Sequence, residues 1–313
     1  MPHNNRKPKM KPFTMKDFRS QFPDDSACLE WLKNYLYPEG IYCEKCEATT
    51  KHHRVKSRPS YSCDSCGHHV HPTAGTIFHK SPTPLTTWFY AIYLMAQTRC
   101  GISAKQIQRE TGVTYKTAWR MFKQIRSMLS DDNPTPMGGW NRKVEVDETY
   151  FGGKHKGYVG RSYDKTPIVG LAQRKGDVRA FVATDVKQDT LRGLIKEHVL
   201  PKSIVFTDEF AAYNGLDARG YQHKRVNHSE KVYVAGDAHT NTLEGFWMLI
   251  KTGIGGVYHS VGRGYLQSYI NEYAFRYNRR FDEQPMFLSM LQQVEKRDVV
   301  VRRAPAQVAV EPF

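Results

Sequence analysis

The sequence predicts a mixed α/β domain preceded by a metal-stapled ribbon and a small helical module, and three observations carry that expectation. Two Cys-x-x-Cys pairs lie between positions 43 and 66. A helical pattern with two interruptions fills 84–129. From position 143 onward, short β-branched and aromatic runs alternate with helical stretches, the pattern of a mixed sheet flanked by helices.

The chain has 313 residues, enough for one large domain with small appendages. Its 46 Lys and Arg against 31 Asp and Glu leave a formal charge of +15, which points to a polyanionic partner, nucleic acid foremost. The excess is shared: residues 1–140 hold 20 basic and 11 acidic groups, residues 141–313 hold 26 and 20, so both halves offer phosphate contacts. A basic enzyme with scattered surface lysines would show the same charge, so the partner has to be argued from motifs. The long uncharged run, 85–98 (LTTWFYAIYLMAQT), is too short to cross a bilayer and lacks the flanks of a signal peptide; it reads as a buried helix, and no membrane association is expected.

Along the chain, residues 1–15 read as a basic, flexible arm, and 18–36 as a short helix with Asp24, Asp25 and Ser26 as N-cap candidates; together they make a first segment, 1–37. A ribbon follows over 38–80. Cys43-x-x-Cys46 and Cys63-x-x-Cys66 are separated by 16 residues, a spacing at which two knuckles present four thiolates to one tetrahedral zinc. Two disulfides or two redox pairs would share the spacing, but the segment is too poor in apolar residues to fold without a metal. His52, His53, His68, His69 and His71 are not needed as ligands, and Cys28 and Cys100 read as ordinary buried thiols.

Residues 81–130 read as a helix followed by a helix-turn-helix. Ser103 caps one short helix, Thr111-Gly112-Val113 turns the chain, and Ile107, Val113, Ala118, Trp119 and Phe122 are spaced to form a small core. Thr114, Tyr115, Lys116 and Thr117 then open a recognition helix with polar groups for base edges, and Arg120 and Lys123 follow to meet phosphate. The bland version is a helical packing unit that binds nothing. Two Pro and two Gly in the next stretch mark 131–141 as a linker.

The α/β domain is expected over 142–298, before a tail at 299–313. KVEVDETYF, PIVGLAQ, VRAFVATDV and SIVFTDE read as strands, 189–199 as a helix before the last of them, and 242–251 and 265–280 as later helices. Strand alternation places Glu145 and Asp147 on one face and Val144 and Val146 on the other. Asp147 leaves one strand, Asp208 ends another, and Glu244 sits early in a helix after 35 intervening residues. Each acid alone has a bland reading, as a turn or cap residue or, for Glu244, as part of a capping box begun by Asn241. Three carboxylates converging would repel one another unless cations intervene, and two magnesium (or manganese) ions there suit in-line displacement at phosphorus. In that helix Leu243, Phe246, Trp247 and Ile250 form the buried stripe, while Glu244 and Lys251 share an adjoining face, with Lys251 placed to meet a neighbouring phosphate.

These residues resemble the zinc-ribbon insertion-sequence transposases of the ISXO-like DDE type, related by fold to ribonuclease H and retroviral integrases. The likeness rests on the Cys43 to Cys66 ribbon, VEVDETYFGGK, VFTDEFAAY, HTNTLEGFWMLIK and YINEYAFRYNRR, which span most of 43–280. It implies a ribonuclease H-like catalytic domain in a bacterial, cytoplasmic, nucleoid-associated protein. Its partners would be double-stranded DNA, as terminal inverted repeats and target, and further copies of itself in a dimer or larger assembly. It assigns Asp147, Asp208 and Glu244 as catalytic metal ligands, and does not assign Glu145, Glu148 or Glu209. Thr252 stands where relatives often carry a second basic residue after Lys251. Two other classes share parts of the pattern: a zinc-ribbon regulator without catalysis, which has no use for the three acids, and a structure-selective nuclease that cuts without joining.

Overall fold

A computed structural model describes residues 12–130, 134–152, 165–226 and 240–295. The chain divides into two units, Lys16–Phe89 with Gln292–Phe313, and Met1–Met15 with Tyr90–Leu291.

In the first unit the expected helix over 18–36 is two helices, α1 (Met15–Gln21) and α2 (Asp25–Leu36). The break falls at Phe22-Pro23, because a residue before proline is pushed out of the helical region. Asp24 restarts the helix, its carboxylate accepting from the Ala27 amide at 2.8 Å. The ribbon follows. The hairpin β1 (Tyr42–Cys43) and β2 (Ala48–Thr49) carries the first cysteine pair. An antiparallel sheet of β3 (His52–Val55), β4 (Ser60–Cys63) and β5 (His69–Val70) carries the second.

The second unit opens within α3 (Leu85–Gln97), the apolar run, whose Trp88, Phe89, Ile92 and Met95 are fully buried. α4 (Ala104–Thr111) and α5 (Tyr115–Met128) form the expected helix pair. Ser103 caps the first through the Gln106 amide, and Thr114 caps the second through the Thr117 amide. Gly112 closes α4 at φ 72°, a left-handed conformation that a side chain would strain. The core between them holds Ile107, Ala118 and Phe122 as expected, whereas Val113 and Trp119 are only half-buried.

The linker adds β6 (Met137–Gly138), paired in parallel with β10 (Val199–Leu200). The main sheet consists of β7 (Lys143–Phe151), β8 (Thr166–Gln173), β9 (Val178–Val182), β11 (Ile204–Thr207) and β12 (Gln222–Arg225), in the order β12-β11-β7-β8-β9. β7, β8 and β9 run antiparallel, and β11 and β12 lie parallel to β7. α6 (Gln188–His198) buries Leu191 and Ile195 with Val144, Val146, Val169 and Leu171 on one face of the sheet. On the other face α7 (Asn241–Gly253) and α8 (Arg263–Asn278) pack Leu243, Phe246, Trp247, Ile250, Leu266 and Ile270 against Ile168 and Ala172. A π-helical turn, Ile254–Tyr258, follows α7, and a short α9 (Met286–Leu291) ends the unit's described helices. Three antiparallel strands continued by parallel ones, with helices on both faces, make a ribonuclease H-like domain.

Candidate active site and metal centres

The four ribbon sulfurs lie within 4.8 Å of one another. Cys43 and Cys66 are 3.6 Å apart and Cys46 and Cys63 3.9 Å, close to the edge of about 3.8 Å that a tetrahedron of zinc–sulfur bonds near 2.3 Å requires. The thiols do not titrate alike. A hydrogen bond with the Thr50 hydroxyl, 3.1 Å away, pulls Cys63 down to about 5, while the other sulfurs around Cys46, Cys66 first, push it up to about 12. Only a cation lets all four be thiolates together. None of the five nearby histidines belongs to this cluster. Cys28 is fully buried, and burial pushes its thiol up to about 12; Cys100 is half-buried rather than buried.

The second centre is built on the neighbouring strands β7 and β11. Asp147 does not leave its strand as expected but lies in the middle of β7, which runs on to Phe151; Asp208 follows β11, and their carboxylates meet that of Glu148 within 4.8 Å. Burial raises the Asp147 carboxyl to about 6, and the Glu148 and Asp208 charges push the same way against a hydrogen bond from Trp247 that lowers it. Glu148 is held by the Tyr213 hydroxyl, which donates to it at 2.7 Å. The Asp208 carboxylate accepts from the Phe210 amide at 3.0 Å. Hard oxygen donors crowded in this way suit a divalent cation such as magnesium or manganese.

Glu244 lies outside that trio of carboxylates. It sits exposed in the first turn of α7 and accepts a hydrogen bond from the Thr240 hydroxyl at 3.2 Å. Thr240, not Asn241, is the N-cap, so Glu244 is one residue too late for a capping box. One turn further along, the Trp247 indole donates to Asp147 at 2.8 Å, which ties the same helix to the carboxylate cluster. The expected buried stripe is present, and Glu244, Met248 and Lys251 are all exposed beside it.

The rest of this face of the sheet explains how α7 comes so close. Asp147 pairs directly with Gly170 across β7 and β8, and a Cβ at Gly170 would stand 2.5 Å from the Trp247 ring. Glycine opposite the acid leaves room for the indole. Glu145, two residues before Asp147 on the same face, is fully buried and binds the start of α7. The sequence pattern put Glu145 beside Asp147, but its partners lie 29 to 98 residues away, and no local signal marks them.

Comparison with known proteins decides the family. A model described as the ISXO2-like transposase domain matches residues 138–278, and one described as the transposase zinc-ribbon domain matches residues 23–69. An uncharacterized transposase-like protein of Haemophilus influenzae is 30% identical over 126 residues, 40% of this chain and 99% of that protein. The chain belongs to the ISXO2-like transposases. An uncharacterized protein in transposable element ISH50 of Halobacterium salinarum is 28% identical over 243 residues, 71% of this chain and 81% of its own length. Two solved structures of Mos1 transposase, a paired-end complex with the left transposon end and a pre-cleavage transpososome, match 63% of this chain and 78% and 75% of theirs. Their identities are 10% and 12% and both TM-scores are 0.22, a likeness too remote to inform the assignment. For this transposase the ribbon cysteines and the acidic cluster are the two candidate metal-binding groups among the described residues.

The expected recognition helix is α5. Tyr115, Lys116 and Lys123 are exposed on it, Arg120 is half-buried, and the Thr114 and Thr117 hydroxyls lie 3.0 Å apart, engaged with each other and with the cap. α5 is fixed to α8, and Lys123 lies 5.7 Å over the Tyr265 ring of that helix. Buried Arg126 donates to Glu272 at 2.6 Å, Glu272 accepts from Arg276 at 2.6 Å, and the Arg126 guanidinium lies 3.8 Å over the Tyr269 ring. Lys251 is exposed in the last turn of α7. His239 lies outside the described residues, as do Gly153 and the tail from 299. No described helix is long and apolar enough to cross a membrane.

Proposed function

We propose that this transposase binds the terminal inverted repeats of its own insertion sequence as a dimer or larger assembly and catalyses cleavage of the DNA and strand transfer into a target. The observation that carries this reading is the convergence of Asp147 and Glu148, in the middle of β7, with Asp208, just past the end of the paired β11, with α7 bonded to Asp147 through Trp247 and Glu244 one turn before it. Asp147, Asp208 and Glu244 are the three acids that hold metal, and Glu148 adds a further carboxylate within reach of the first two. Two divalent cations bound there supply the positive charge that activates a water or 3′ hydroxyl and stabilises the departing oxygen. The protein's part is to hold the carboxylates in place and the phosphodiester in line. Thr114, Tyr115, Lys116 and Thr117 read the repeat, Arg120, Lys123 and Lys251 meet phosphates, and one zinc on Cys43, Cys46, Cys63 and Cys66 folds the ribbon. The expected domains are the ribbon at 38–80, the helix-turn-helix at 81–130 and the catalytic domain at 142–298.

The test is an incubation of purified protein and magnesium with DNA carrying the flanks of its own gene. Cleavage at the element ends together with joined products is expected. Cleavage without joining would make the protein a nuclease, and binding without either would make it a regulator.

A further inference from the structure

Glu145 is a fully buried carboxylate that the proposed chemistry does not use. One of its oxygens accepts from Arg174 Nε at 2.9 Å and from the Thr242 hydroxyl at 3.0 Å. The other accepts from the Thr242 amide at 2.9 Å and the Leu243 amide at 3.4 Å. Arg174 is itself held flat, its guanidinium 4.1 Å over the Phe206 ring. These two amides belong to the first turn of α7, whose N-cap, Thr240, makes no side-chain capping bond. The strand, not the helix's own N-cap side chain, therefore caps this helix.

A serine or aspartate at the N-cap would satisfy such amides without burying a charge. What the strand carboxylate adds is a fixed register between α7 and β7. Asp147, on the same strand face, holds Trp247 of the same helix. The two anchors are about 6.6 Å apart along the strand and about 7.5 Å apart along the helix, from rises of about 3.3 and 1.5 Å per residue, so strand and helix keep step. Two anchors fix both the translation and the rotation of α7. Glu244 lies between them, directly after the capped amides.

We infer that Glu145 is a positioning residue of the catalytic centre: it sets Glu244 at a fixed height and angle beside Asp147 and so tunes metal binding without touching metal or DNA. The inference rests on the reading of Glu244 as the third metal-binding acid.

The test measures Mn2+ binding to the zinc-loaded full chain by the electron paramagnetic resonance of free Mn2+, for the native protein, Glu145→Gln, Glu244→Gln and the double variant, with thermal unfolding recorded alongside. Glu145→Gln is expected to stay folded and to weaken Mn2+ binding by about tenfold, as loss of outer support does at metal sites. In the Glu244→Gln background the same change should have no further effect, because it acts through Glu244. Thr242→Val, which removes a single donor to Glu145 and leaves the acid paired with Arg174, should move Mn2+ affinity the same way by less; if Glu145→Gln does not fold, its cycle with Glu244→Gln carries the test. Native Mn2+ affinity in folded Glu145→Gln, or losses that add in the double variant, would overturn the inference. Native affinity in Glu244→Gln would overturn it differently, by removing the reading of Glu244 on which it stands.

Discussion

Trp247 and Asp147 are joined by a 2.8 Å hydrogen bond from the indole Nε1 to Oδ2, one hundred residues apart in sequence. The bond orients the carboxylate at the centre of the acidic cluster and locks α7 to the strand that carries it. Trp247→Phe keeps most of the buried ring and removes the donor. Cleavage should fall by about 10- to 100-fold while DNA affinity is unchanged, since orienting partners of metal ligands carry effects of that size. Single-turnover cleavage and a binding titration check both halves.

Gly170 tests the same contact from the sheet. A methyl group there would stand 2.5 to 2.8 Å from Trp247 and Leu243, in a buried position with no slack. Gly170→Ala should cost about 1–3 kcal/mol of stability by overpacking. Cleavage should fall further than the loss of folded protein accounts for, because α7 is displaced from Asp147. Denaturant unfolding followed by an activity measurement on the folded fraction decides this.

The ribbon makes a separate prediction. Metal analysis should find one zinc per chain, and Cys63→Ser should lose it together with the ordered ribbon, because folding and metal binding are coupled in such small modules. Zinc-free protein with unchanged ribbon structure and DNA affinity would remove the metal from the account.

On the recognition helix, Lys116 and Arg120 are the residues to change. Each replacement by Ala should weaken binding to the element ends, and loss of a phosphate contact should reduce the salt slope of binding by about one. If affinity and salt slope both stay as they were, recognition lies off α5.

Much of this was legible in the sequence because its signals are local. The KVEVDETYF run is β7, the Ser103 cap and the Gly112 turn are where composition placed them, and the four cysteines meet as their spacing requires. What escaped is set by distant partners. β12 (Gln222–Arg225) is an edge strand with no apolar residue, recruited by backbone pairing with β11. Arg126 and Glu272 are buried against each other across 146 residues, a pairing that no local pattern marks. Strand alternation put Glu145 on the face of Asp147 without giving it a role, and only the fold brings Arg174 and the first turn of α7 to it.

The most direct test of the central claim is magnesium-dependent cleavage and joining of element-end DNA by Glu244→Gln, compared with Lys251→Ala, with binding measured on the same samples. Glutamine keeps the volume of Glu244 and removes the charge that would hold metal. The account predicts that Glu244→Gln abolishes cleavage while DNA binding persists, and that Lys251→Ala weakens binding, lowers its salt slope by about one and still cleaves at high protein concentration. Near-normal cleavage by Glu244→Gln would contradict it.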